Sequence, residues 1–320
     1  MFYKLMIVLS LLILMAGRTA LAEEIEPDIS NMRYGPHQDN VFDLYLPQNT
    51  ANPPIAVFIH GGGFKSGDKS QVHDAGHLLT DLLDAGIAVV SANYRLLSST
   101  SDLTLDEILK EDLTALVQTV RYRAPNRGRH GNAIGAFGTS AGAGAALWLG
   151  VHDDVADPRH PLPFKRVSSK VQVVGHLAGQ ATYDTALWSE ILQVIPNWAA
   201  LIDFEDDLLW FDVDIRRQLT HPAVIAKIMS IDFPGLMSPD DAFLYVENYT
   251  PETDIVLSSD MSGLEKSAAK VDIAHSPRHA YFLEKICQVN GLFCEVYTER
   301  NMIFTPAVSD MVDFFKTHLQ

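Results

Sequence analysis

Short apolar, β-branched runs alternate with longer stretches of helical period along most of this chain. The strand-like runs are Val41–Leu46, Ile55–His60, Ile87–Tyr94, Ala133–Gly138, Val171–Leu177, Ala242–Asn248 and Phe293–Thr298. Several are apolar at nearly every position, as central parallel strands buried on both faces must be. Between them, Val72–Ala85, Leu105–Arg123, Pro277–Val289 and Ala307–Leu319 carry apolar residues three and four apart, the spacing of a helix with one buried face. Alternation of this kind predicts an α/β fold, a mostly parallel central sheet with helices on both faces. One segment, about 184–239, breaks the rhythm with helical fragments rich in Trp and acidic residues. It reads as an insertion before the penultimate strand, lying over the carboxyl ends of the strands, the edge where open α/β sheets bind ligands.

The amino terminus follows a different logic. Met1–Lys4 is basic, Leu5–Ala16 is mostly apolar, and Ala20-Leu21-Ala22 supplies the small residues of a cleavage site. This is the pattern of a secretory signal peptide over 1–22, and the apolar run is shorter than the ~20 residues a bilayer span needs. The expected product is an exported protein, periplasmic or extracellular, that is free of the membrane after cleavage, with 23–320 forming the folded domain. In such a compartment Cys287 and Cys294 are candidates for a disulfide between a helix end and a strand start, or for two buried thiols.

Composition narrows the partners. With 24 basic and 40 acidic residues the formal net charge is −16. Such a chain repels polyanions, which argues against nucleic acid. Apolar residues at 47% exclude disorder.

Two motifs carry chemistry. Gly138-Thr139-Ser140-Ala141-Gly142 follows a strand-like run and precedes the small, apolar Ala143–Val151. In a strand–turn–helix context, G-x-S-x-G holds a serine on a strained turn with its hydroxyl exposed. Upstream, His60-Gly61-Gly62-Gly63-Phe64 follows the Ile55–Ile59 run. A glycine-rich loop there can aim the N–H groups of Gly62 and Gly63, together with that of Ala141, at a developing oxyanion. The loop lacks the Gly-Lys-Ser/Thr ending of a phosphate-binding loop.

With both motifs in this order, the chain resembles the α/β-hydrolase superfamily. More narrowly it resembles carboxylesterases with an HGGG oxyanion loop, including the bacterial feruloyl- and acetyl-esterase-like group. Tyr34-Gly35-Pro36 with Asp43-Leu44-Tyr45-Leu46-Pro47 is similar to that group's amino-terminal antiparallel strands, and Ala92-Asn93-Tyr94-Arg95-Leu96 to its segment after the next strand. The resemblance covers roughly Met32 to Leu177. It implies hydrolysis of carboxylic esters, short acyl or polysaccharide side-group esters, through an acyl-enzyme on Ser140, with no cofactor and no metal.

A serine nucleophile needs a base, and the base an orienting acid. In the family the acid follows the strand after the insertion. Here Asp272 is preferred over Asp254, because it stands just before a helix. The family's histidine follows the last strand, but Thr298–Phe304 contains none, and none occurs between His279 and His318. The base is therefore assigned to His275, in the segment of Asp272, with His279 and His176 as further candidates. The contrasting expectation is a catalytically impaired hydrolase-fold binding protein. An imidazole within reach of Ser140 decides between the two. His130, His152, His160 and His221 read as surface or loop residues.

Overall fold

A computed structural model describes residues 25–75, 77–98, 101–124, 131–193, 220–248, 262, 265, 269, 273–298 and 309–319. The expected signal peptide over 1–22, Asp254, Asp272 and much of the expected insertion lie outside them. Eight strands form one sheet: β1 Ile29–Arg33, β2 Val41–Tyr45, β3 Ile55–Ile59, β4 Ala88–Ala92, β5 Ile134–Thr139, β6 Val173–Leu177, β7 Phe243–Asn248 and β8 Cys294–Thr298. Their order is β1-β2-β4-β3-β5-β6-β7-β8. β1, β2 and β4 pair antiparallel; every pairing from β4 through β3 to β8 is parallel.

The helices are α1 Leu78–Asp84, α2 over 105–123, α3 Ala141–Val151, α4 Trp188–Leu192, α5 Pro222–Met229, α6 Phe233–Leu236, α7 Pro277–Asn290 and α8 Ser309–His318. They cover both faces of the sheet. Strand period two decides which side chain goes where. Ile55, Val57 and Ile59 of β3 pack with Leu116, Leu147 and Leu283 from α2, α3 and α7. Ala56 and Phe58 point the other way, into a second core with Leu82 of α1 and Phe315 of α8. The fully buried central strands thus explain the unbroken apolar runs of the sequence.

Two of the expected helices are irregular. The stretch expected as one helix over Val72–Ala85 is a 3-10 turn, Lys69–His73, followed by α1. Asp68 caps that turn through the N–H of Ser70, and the N–H of Asp74 closes on Gln71 O. Four residues, 74–77, separate the two pieces, and two of them in the sequence, Asp74 and Gly76, have weak helix propensity. Within α2, Ile108–Leu113 widens to a π-helical turn. Asp112 of that turn accepts from the backbone N–H of Arg95 at 2.9 Å and from its Nε at 2.9 Å, tying α2 to the segment after β4.

Packing places two further histidines. His152 is buried rather than superficial. Its Nδ1–H faces the carbonyls of Trp148 and Leu149 at the end of α3, and its Nε2 lies 3.0 Å from Ser169 Oγ. Burial pushes its pKa down to about 4, so the ring is neutral. His318 stacks on Phe243 with ring centroids 4.5 Å apart, at the amino end of β7 and away from the serine elbow.

Cys287 and Cys294 form a disulfide that joins the last turn of α7 to the start of β8. Closing a loop of sequence separation 7 restricts the unfolded chain by about 2–3 kcal/mol. Replacing both cysteines by serine is expected to lower unfolding stability by that amount in a denaturant titration. A midpoint that stays put with an unchanged slope would show that the bond contributes nothing. Among the described residues no helix is long and apolar enough to cross a membrane.

Candidate active site

The site is assembled at the carboxyl ends of β3, β5, β6 and β7. Ser140 stands between β5 and α3 with φ 54° and ψ −122°, a conformation that L residues avoid and that only surrounding contacts can enforce. Those contacts are present. The Ser140 N–H donates to Leu177 O at 3.0 Å, and its carbonyl accepts from Ala143 at 3.0 Å, inside the first turn of α3. The turn also presses against β3. A Cβ on Gly138 would stand 2.5 Å from Ile59 O, and one on Gly142 would collide with the same carbonyl. The two flanking glycines are therefore required by close backbone approach.

The glycine-rich loop lies beside this elbow. Gly62 has φ +104°, and the N–H groups of Lys65 and Ser66 both turn back onto its carbonyl. A Cβ on Gly63 would meet nothing within 4 Å, so this residue borders open space. His60 is buried behind the loop, with its Nδ1–H on Gly61 O at 2.8 Å. Tyr94 stacks on the imidazole at 4.3 Å between ring centroids and donates its hydroxyl to His60 O at 2.8 Å. Burial lowers the His60 pKa. His60 thus serves as a neutral structural brace, and Tyr94 is a second brace that carries no local signature of that role. The N–H of Ala141 begins α3, where the first amides of a helix have no intrahelical acceptor and favour negative charge.

His275 reaches this elbow. Its Nε2 lies 2.9 Å from Ser140 Oγ. Local sequence explains its position. Pro277 is the first residue of α7 and forces Ser276 out of helical geometry; Ser276 then caps the helix by accepting the Arg278 N–H on its Oγ at 3.3 Å. His275 therefore stands in the turn just ahead of the cap, with its ring free to lean toward β5. Burial lowers its pKa from the ordinary 6.5, which favours the neutral form a base requires.

The other nominated histidines do other things. His176 is buried in β6 with its Nε2–H on Gln180 O at 3.1 Å. His279 is buried in α7; its Nε2–H donates to Ile273 O at 3.0 Å and its Nδ1 accepts from the Ala181 N–H at 3.3 Å. Burial lowers both pKa values to about 4. Both nitrogens of His279 are engaged, and the Nε2 of His176 is held by Gln180 O. Of the two acids considered, neither is among the described residues. The described residues contain no group of three or more His, Cys, Asp or Glu side chains able to hold a metal.

The chain is similar to known proteins in two ways. Residues 42–187 match the family model BD-FAE, a hydrolase-fold esterase family. Among solved structures, a truncated carbohydrate esterase from gut microbiota superposes with a TM-score of 0.64 at 19% identity, covering 92% of this chain and 97% of that one. The chain has the α/β-hydrolase fold. An acetyl ester–xyloside bifunctional hydrolase from Caldicellulosiruptor lactoaceticus gives 0.61 at 15% identity, with 92% and 97% covered. A thermophilic esterase from Thermogutta terrifontis, with propionate bound, gives 0.55 at 15% identity, with 86% and 84% covered. None of the curated proteins compared matches significantly. Within this α/β-hydrolase frame the family match spans the elbow and the glycine-rich loop and ends before α7. The segment that supplies His275 lies outside the family match.

Proposed function

We propose that the protein is an exported serine esterase that releases acyl groups from carboxylic esters, with acetyl or related side groups of polysaccharides as the substrate class. The observation that carries this reading is the 2.9 Å contact between His275 Nε2 and Ser140 Oγ, made on a strained elbow beside a glycine-rich loop. An imidazole in that place favours a hydrolase over a binding protein that merely keeps the fold. The substrate class is supported by the carbohydrate esterase and the acetyl ester–xyloside hydrolase among the structural neighbours.

In the proposed reaction Ser140 Oγ attacks the ester carbonyl carbon while its proton passes to His275 Nε2. The carbonyl oxygen takes up the negative charge and is met by the N–H groups of Gly62, Gly63 and Ala141. The bond to the alcohol oxygen then breaks, and the proton on Nε2 goes to that oxygen. Water repeats the sequence on the acyl-enzyme: its proton moves to Nε2, its oxygen bonds the acyl carbon, and the Oγ–acyl bond breaks with return of the proton to Oγ. Asp272, three residues before the base, is the proposed orienter of the imidazole. Export follows from the signal pattern over 1–22.

The test is to trap the intermediate. Brief mixing of the mature protein with p-nitrophenyl acetate, acid quenching and peptide mass analysis should place one acetyl group on the peptide containing Ser140. Hydrolysis without acetylation of that peptide would exclude the acyl-enzyme, and no hydrolysis of this ester, of p-nitrophenyl butyrate or of acetylated xylan would exclude the esterase.

A further inference from the structure

The turn that presents His275 is held in an unusual way. Four consecutive backbone carbonyls, residues 273–276, each receive a side-chain N–H from elsewhere in the fold. His279 Nε2 donates to Ile273 O at 3.0 Å, and Gln180 Nε2 to Ala274 O at 2.9 Å. Asn248 Nδ2 reaches both His275 O at 2.9 Å and Ser276 O at 3.1 Å. All three donors are buried: His279 is 0%, Asn248 2% and Gln180 4% exposed. They come from three elements, α7, the end of β7 and the loop after β6.

That loop is also tied to the nucleophile. Leu177 O accepts from the Ser140 N–H, the Ala178 N–H donates to Glu247 O at 2.7 Å, and the Ala181 N–H donates to His279 Nδ1. A short backbone path therefore runs from the elbow through 177–181 to the base turn, with Gln180 and His279 at its far end. A buried side-chain amide that lost these carbonyls would be left unsatisfied, so the arrangement has one low-energy geometry.

We propose that Gln180, Asn248 and His279 are positioning residues that hold the turn 273–276, and with it the His275 ring, at hydrogen-bond distance from Ser140. The proposal rests on the esterase reading for its effect on rate, but not for its effect on the ring. A base carried ahead of a helix has no following strand to fix it, and these side chains supply the missing constraint. Among the described residues, the titratable group that interacts electrostatically with His275 is His279 of α7, held neutral by burial.

Asn248→Leu and Gln180→Met keep volume and remove the donors. In each variant kcat for p-nitrophenyl acetate should fall roughly ten- to a hundredfold, with KM changed less than about twofold, because misplacing a reacting group costs rate before it costs binding. In the same samples, NMR titration of the His275 Cε1–H should move up toward the ordinary 6.5 as the loosened ring meets water. A role confined to global stability would lower the melting temperature and leave the folded protein's kcat and His275 titration unchanged, and that result overturns the proposal. If one variant fails to fold, the other decides by the same two readouts. If the wild-type protein hydrolyses no ester, the esterase reading fails, and the His275 titration alone decides: a rise supports the clamp, and no change removes it.

Discussion

Ser140→Ala is expected to reduce ester hydrolysis on the order of 10⁴–10⁶-fold while leaving the melting temperature within a few degrees of wild type. The large factor follows from the chemistry. Without Oγ no acyl-enzyme forms, and what remains is attack by water on an ester still held near the Gly62, Gly63 and Ala141 amides. The small stability change follows from the geometry. Alanine at φ 54° is no more strained than serine, and the contacts that enforce this backbone are main-chain bonds to Leu177 and Ala143 that the substitution keeps. Initial rates on p-nitrophenyl acetate with a thermal melt of the same sample test both halves. Equal rates for the two proteins would remove Ser140 from the mechanism.

His275→Ala should follow, with kcat reduced on the order of 10³–10⁵-fold and the fluorophosphonate labelling rate of Ser140 falling in parallel. Loss of the proton acceptor at 2.9 Å leaves the hydroxyl at its own, unreactive pKa. The pH profile of the wild type carries the same information. His275 must be neutral to accept the proton, and burial lowers its pKa below 6.5. Activity is therefore full above that folded-state pKa and declines as pH falls through it, placing the acid limb of kcat/KM below pH 6.5. An acid limb above 6.5, or a His275→Ala protein with wild-type rates, would assign the base to another group.

Much of this architecture is legible in the sequence because its signals are local. β3 and β5 are buried on both faces and read as continuous apolar runs, and the elbow and the glycine-rich loop are contiguous motifs whose geometry their glycines impose. The turn before α7 is also local, since Ser276-Pro277 marks a helix start and leaves His275 ahead of it. What holds that turn is not legible. Gln180 and Asn248 lie 94 and 27 residues from the carbonyls they bind, and a single buried amide at the end of a strand has no periodicity to mark it. The same limit applies to His152, which follows α3 as a loop histidine would but is buried where the chain folds back to Ser169. The Val72–Ala85 run shows the converse error: apolar spacing suggested one helix, and the chain instead forms a 3-10 turn ending at His73 and a separate helix from Leu78.

The buried histidines give the protein an acid boundary of its own. His152, His176 and His279 have folded-state pKa values of about 4, against 6.5 for the free side chain. Because these values are depressed, the unfolded chain binds more protons than the fold between those limits, and stability drains away as pH falls from about 6.5 toward 4. Each turnover of the proposed reaction liberates a carboxylic acid, which sheds a proton at neutral pH. In a poorly buffered medium the catalyst would then acidify its own surroundings, both silencing its base and loosening the fold around it, so that the extent of deacylation is set by the local buffer as much as by the supply of ester.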